Sequence, residues 1–246
     1  MLGLLFAVIT CLLSFMYMTV AHLSRISKLP EEKSVMEARK QLKFLSRNLL
    51  KAIDAKVEVK YVDREAIDRI DPKQGVVLVA NHESNFDIPA IVVGFPMAVG
   101  FVAKKEMETW PFYSTWMKKS KCVFLDRSNP REGVKSIKRA VEIIKKGYPT
   151  VIFPEGERSI NGTMGEFKKG SFKLATETNG IIIPVSIVGT RAIQKRSSVL
   201  INRGKKIRLI IGEPIYIGDL SENELKNLNK KVKNIVETNK NWDIGQ

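Results

Sequence analysis

Between Gly75 and Ala80 the chain reads GVVLVA, and no polar side chain interrupts the run. A strand with one wet face alternates apolar and polar residues, whereas a strand this uniform must be covered on both faces. Helices packed on either side of a mainly parallel sheet supply such cover. Further strand-like runs are KVEVKYV (Lys56–Val62), MAVGFVA (Met97–Ala103), CVFLD (Cys122–Asp126) and TVIF (Thr150–Phe153), followed by IIIPVSIVG (Ile181–Gly189) and KKIRLIIGEPI (Lys205–Ile215). Among them the sequence predicts a helix over Pro130–Lys146, with a stripe of Val134, Ile137, Val141 and Ile144 and with Gly147 to end it. A second helix is expected around Ser171–Asn179, and a third opens at SENE, where Ser221 and Glu224 have capping-box spacing. This alternation predicts an α/β fold, a mostly parallel central sheet flanked by helices, in one domain over residues 55–246.

Residues 1–54 read differently. From Leu2 to Leu23 the chain carries no formal charge unless His22 protonates. As a helix rising ~1.5 Å per residue, that run is about as long as the ~30 Å hydrocarbon core of a bilayer. No basic residue precedes it, and the first follow at Arg25 and Lys28, which favours an uncleaved anchor over a signal peptide. The basic flank keeps the remainder on the cytoplasmic side. After Pro30, Val35, Ala38, Leu42, Leu45 and Leu49 form a helical stripe, while Lys33, Arg39, Lys40, Lys43, Arg47 and Lys51 occupy much of the remaining surface. The stripe could face protein. Directly behind an anchor, the expectation is an interfacial helix with its stripe in acyl chains and its cations near phosphates. The two helices would form a hairpin in one leaflet, or the first would cross alone.

Charge narrows the company the chain keeps. Its 41 basic and 26 acidic residues leave +15, which calls for an anionic partner. The two cysteines, Cys11 and Cys122, are too few for a disulfide framework and suit a reducing compartment. Two histidines far apart and two cysteines offer no metal-ligand cluster, so none is expected. GEFKKGS (Gly165–Ser171) has the glycine spacing of a phosphate loop but lacks the lysine after the second glycine, and no strand runs into it. Nucleotide hydrolysis is discounted.

In open α/β sheets, functional groups gather past the carboxyl ends of the strands. Four polar clusters stand there: NHESNFD after the first buried strand, AKKE (Ala103–Glu106), DR (Asp126–Arg127) and PEGERS (Pro154–Ser159). His82 is one of only two histidines, and Asp87 is the natural acceptor for its second ring nitrogen. On a regular helix the two would lie about 140° apart, so a turn opening into a helix is needed to bring them together. The alternative is a histidine that only caps the helix, with Asp87 an incidental first-turn acid. No G-x-S-x-G elbow offers a nucleophile, so the proton would come from a bound substrate. Lys104 or Lys105, Arg127 and Arg158 each follow a strand, where forked guanidinium groups and an ammonium could grip a phosphate.

As a set these blocks resemble the glycerolipid acyltransferases, and most closely the 1-acyl-glycerol-3-phosphate (lysophosphatidic acid) acyltransferases. The His-x4-Asp block is NHESNFD, the strand ending in Asp-Arg is CVFLDR, the third block is FPEGERS, and the apolar run with a proline is IIIPVSIV. They stand in the family's order from about Val76 to Ile187, with Glu157 where the third block commonly has threonine. The resemblance implies that His82 removes the proton from the 2-hydroxyl of lysophosphatidic acid while Asp87 holds the imidazole. It implies acyl transfer from a thioester on coenzyme A or acyl carrier protein, with no other cofactor. Arg127, Glu155, Gly156 and Arg158 would position the glycerol phosphate, with Lys104 a further contact and Lys105 the less favoured neighbour. Membrane lipid and an anionic membrane surface are the implied partners, and acyl carrier protein a further one; nucleic acid is not. Rival readings are an acyltransferase for glycerol 3-phosphate or another lysophospholipid, a thioesterase, and a membrane-tethered basic binding protein.

Overall fold

The structure is a computed structural model that describes residues 2–126 and 128–241. It opens with an antiparallel hairpin of two helices, α1 (Leu2–Ser27) and α2 (Glu31–Ala52). Asn48 Nδ2 donates to the Ser14 hydroxyl at 3.0 Å across this pair. The outer face of α1 stays bare, with Leu12, Met16 and Val20 all more than half exposed. Val8–Ser27 is long and apolar enough to cross a membrane.

The second helix corrects an expectation. Its stripe is not turned outward to meet acyl chains: Val35 (2%), Ala38 (0%) and Leu45 (8%) are buried in the protein. The helix lies between α1 and the domain, so the apolar stripe already has protein to pack on. Leu50, Ala52 and Ile53 join the largest core cluster, so packing runs across the boundary placed at residue 54. Nor is Arg39 part of a solvated face. It is 5% exposed, donates to the carbonyls of Ala98 (2.6 Å) and Ser120 (3.1 Å), and lies over the Tyr148 ring. Burial pulls its pKa down to about 10.

Among the described residues eight strands form one sheet: β1 (Lys56–Tyr61), β2 (Val76–Ala80), β3 (Gly100–Lys104), β4 (Val123–Leu125), β5 (Thr150–Ile152), β6 (Ile181–Val188), β7 (Lys206–Ile211) and β8 (Ile215–Tyr216). Their order is β1-β7-β6-β2-β5-β3-β4, with β8 beside β6. The central pairings β6-β2-β5-β3-β4 are all parallel, as the uniform apolar runs predict. β7 meets β6 antiparallel and β1 follows β7, so both run opposite to the centre. The starts of β1 and β7 therefore lie at the same edge as the ends of β2 and β6. The helices α3 (Arg64–Asp68), α4 (Asp87–Gly94), α5 (Tyr113–Lys119), α6 (Pro130–Lys145) and α7 (Lys173–Thr176) fill the connections, followed by α8 (Thr190–Ile193), α9 (Glu222–Lys226) and α10 (Leu228–Lys240). The predicted capping box at Ser221 and Glu224 opens α9, and Asn129 caps α6.

Residues of β2 alternate between two cores. Leu78 and Ala80 face the side of α2 and α4, whereas Val77 and Val79 face α6, α7 and α10. Gly75 turns the chain into β2 with φ +84°, and a Cβ on Gly180 would sit 2.1 Å from the Gly75 carbonyl oxygen. Only glycine fits so close a backbone approach.

Candidate active site

β2 ends at Ala80, and the next residue continues its pairing by other means. Asn81 Nδ2 donates to the Ile187 carbonyl (2.9 Å), while its Oδ1 accepts from the Ile187 amide (2.8 Å). The side chain thus replaces a backbone rung, and the main chain is released from the sheet at His82. The loop that follows folds back on Asp87, the first residue of α4. Asp87 is fully buried. Its Oδ2 accepts from the amides of Glu83 (2.7 Å) and Ser84 (2.9 Å) and from His82 Nδ1 (2.7 Å), and its Oδ1 accepts from the Thr190 hydroxyl. This is the turn opening into a helix that the His82–Asp87 spacing requires.

His82 is fixed at several points besides that bond. Its amide donates to Glu155 Oε1 (2.7 Å), its carbonyl accepts from the Ser159 amide (2.8 Å), and its ring stacks on Phe153 with centroids 4.1 Å apart. The imidazole is 17% exposed. A carboxylate can only accept, so Asp87 holds a proton on Nδ1 and leaves the lone pair on Nε2. Nε2 has no hydrogen-bond partner among the described residues.

Three further carboxylates stand in the loops around His82, two of them buried and one exposed. Glu155 is buried, with Oε1 on the His82 amide and Oε2 on the Gly165 amide (2.7 Å). Burial pushes its carboxyl up, against the pull of those two amides. Glu83, also buried, accepts from Lys240 Nζ at the end of α10 (2.7 Å). Burial raises this carboxyl too, and the Lys240 ammonium only partly opposes it. Glu157 lies outside, where Arg196 (2.6 Å) holds its carboxyl low, with Lys168 and Lys104 adding to the effect.

Residues 58–188, more than half of the chain, match the family model Acyltransferase. The chain belongs to the acyltransferase family. Among curated relatives, a probable 1-acyl-sn-glycerol-3-phosphate acyltransferase of Mycoplasma pneumoniae is 38% identical over 157 residues, 58% of each protein. The 1-acyl-sn-glycerol-3-phosphate acyltransferase of Saccharomyces cerevisiae is 33% identical over 164 residues, 65% of this chain and 54% of the yeast protein. The chain spans about half the length of the curated relatives it matches. The crystal structure of the 1-acyl-sn-glycerophosphate (LPA) acyltransferase PlsC of Thermotoga maritima superposes with a TM-score of 0.77 at 27% identity, covering 96% of this chain and 95% of that one.

In this member of the acyltransferase family, the predicted site residues fall into three groups. His82 and Asp87 are bonded to one another. Gly156 (φ +82°) turns the chain after β5, and Glu155 faces inward with both oxygens on backbone amides, so it braces the loops. The cations form the third group. Lys104 ends β3, exposed, and Arg158 is half-buried with no partner on its guanidinium among the described residues. Lys105 is paired with Glu108. Arg127 lies outside the described residues. Sequence reasoning missed Thr190, although it follows β6 at the edge where β2 delivers His82.

Proposed function

We propose that this chain transfers a fatty acyl group from an acyl thioester, carried on coenzyme A or acyl carrier protein, to the 2-hydroxyl of lysophosphatidic acid. The observation that carries the reading is the 2.7 Å bond between His82 Nδ1 and a fully buried Asp87, with Nε2 open at the carboxyl edge of the sheet. His82 Nε2 takes the hydroxyl proton as the lipid oxygen attacks the thioester carbonyl. A new C–O bond forms, the C–S bond breaks as the tetrahedral intermediate collapses, and the imidazolium returns its proton to the departing sulfur. No acyl-enzyme is required, which suits a chain without a serine elbow. Asp87 holds the ring for the attack and stabilises the imidazolium that forms. Arg158 and Lys104, with Arg127, bind the phosphate of the acceptor. The bare face of α1 sits in the cytoplasmic leaflet and keeps the site against the membrane that carries the lipid.

The test is thiol release from a long-chain acyl thioester in detergent micelles, with and without lysophosphatidic acid. Release should depend on the lipid and fall ~10²–10⁴-fold in a folded His82→Ala variant, the usual worth of a general base. Release indifferent to the lipid would make the chain a thioesterase. Activity that survives the substitution would remove His82 from the mechanism.

A further inference from the structure

Among the described residues, most large apolar side chains left exposed lie on α1 or on loops at the carboxyl edge of the sheet. The α1 side of that edge carries Trp110 (51%) and Phe112 (65%), shortly after Lys104. Trp110 meets Tyr113, and Tyr113 meets the partly buried Phe15 of α1, so these aromatics adjoin that helix. The other group is separate in sequence from α1: Ile160 (74%) beyond β5, and Val199 (79%) and Leu200 (67%) in the loop from α8 to β7. A lone exposed apolar residue is ordinary, but an adjacent pair this bare is costly in water unless something covers it.

This loop is not slack chain. Asn202 is tied by its amide to the Ile193 carbonyl and by its side chain to the Ala192 carbonyl. The Gly204 amide donates to Ile53 at the end of α2, and Ile201 packs on the main core. Gln194 accepts from Asn85 of the His82 loop, and Arg196 donates to the Arg158 carbonyl. Ile160 is brought to the same place, because Arg191 of α8 donates to its carbonyl. Val199 and Leu200 are therefore held outward by a pinned base, beside the site.

The flanking charges name the occupant. From Gln194 to Lys205 the loop carries no acidic residue; Arg196 is engaged with Glu157, which leaves the exposed Lys195, Arg203 and Lys205 for an anionic surface. Apolar tips between cations match an anionic bilayer, with acyl chains for the tips and phosphates for the bases. We infer that Ile160, Val199 and Leu200 form a second membrane contact, across the active-site edge from Trp110 and Phe112. The catalytic edge then lies flat on the bilayer, clamped on both sides of His82, and does not hang from α1 by one side.

The test uses the full chain and does not depend on which acceptor the site acylates. In a Cys11→Ser, Cys122→Ser background, Leu200→Cys carries an environment-sensitive fluorophore, and Leu225→Cys, on α9 at the opposite edge, is the control. Vesicles of phosphatidylglycerol and phosphatidylcholine contain lipids with a quencher at a known acyl depth. The Leu200 label should be quenched several-fold more than the Leu225 label, and salt should weaken the effect. Equal quenching at the two positions, no quenching, or a blue shift without vesicles (burial against a second copy) would overturn the inference. A Val199→Asp, Leu200→Asp variant should lose roughly tenfold in vesicle binding but keep its thiol release in micelles. Unchanged vesicle binding would also overturn it. If micellar release fails already in the parent chain, the acylation reading falls and the quenching result still stands.

Discussion

The loop after β2 and the loop after β5 leave the same edge of the sheet, yet they are built differently. In the first, Asn81, Glu83, Ser84, Phe86 and Asp87 are all buried, and His82 is held by its ring, its amide and its carbonyl. In the second, Glu155 and Ser159 are buried, while Arg158 is half-buried and Glu157 and Ile160 are exposed. The buried members of the second loop serve the first: Glu155 and Ser159 both bond to the His82 backbone. In the proposed reaction, proton transfer needs a base within hydrogen-bond reach of its target, and the many bonds on His82 suit that role. In the same reaction a charged headgroup enters and leaves, and the Arg158 guanidinium has no partner among the described residues to hold it. Under the proposed function, one loop is rigid because its base must reach the substrate, the other adaptable because it receives the headgroup.

That contrast breaks most sharply at Asp87. Asp87→Asn keeps the shape but puts a donor where several donors converge. The ring should lose its fixed tautomer, and kcat should fall by roughly 10² or more with KM little changed, since the base contributes ~10²–10⁴. Steady-state kinetics on the folded variant decide it. A change confined to KM would make the first loop a binding element and erase the distinction. Next in size is Arg158→Ala, on the adaptable side. Hydrogen bonds to charged groups contribute ~1.5–3 kcal/mol, so KM for the phosphorylated acceptor should rise roughly tenfold to a hundredfold while kcat and melting temperature hold. A loss of stability instead would mean that Arg158 is a structural cation like Arg39.

Those two arginines mark where the sequence stops being legible. Both stand among polar neighbours, and nothing in RSI or EARKQ distinguishes a guanidinium that caps buried carbonyls from one left free. The sheet was legible because the run at Val76–Ala80 admits only one environment, and its central pairings are parallel accordingly. The reversal of β1 and β7 was not, since an apolar run carries no direction; only the three-dimensional connection through α8 sets it. The stripe of α2 is legible as a stripe but not its partner, because to Ala38 and Leu45 acyl chains look like the side chains of α1 and α5 that they pack on. His82 and Asp87 could be paired from spacing and chemistry. Thr190 could not, for its bond to Asp87 spans 103 residues and depends on the β2–β6 register. Glu155 was placed on the substrate by resemblance, and its geometry gives it a bracing role that a motif cannot express.

The finest difference between the loops is electrostatic, and pH exposes it. Glu83, in the buried loop, has its carboxyl raised by burial; Glu157, in the exposed loop, has its carboxyl lowered by Arg196. A raised folded pKa means that the native state keeps a proton the unfolded chain has released. Its contribution is present below the unfolded value and lost as pH rises through the folded one. The depressed Glu157 does the reverse, contributing above the unfolded value and losing that contribution as pH falls. Melting temperatures of wild type, Glu83→Gln and Glu157→Gln across the mildly acidic range separate the two. Relative to Glu83→Gln, wild type should lose stability as pH rises; relative to Glu157→Gln, it should gain, and by less, because solvent screens the exposed pair. A Glu83 difference of the opposite sign would show the Lys240 ion pair outweighing burial. The loop after β2 would then be held to α10 by charge, and its rigidity would vary with salt as that of a packed loop would not.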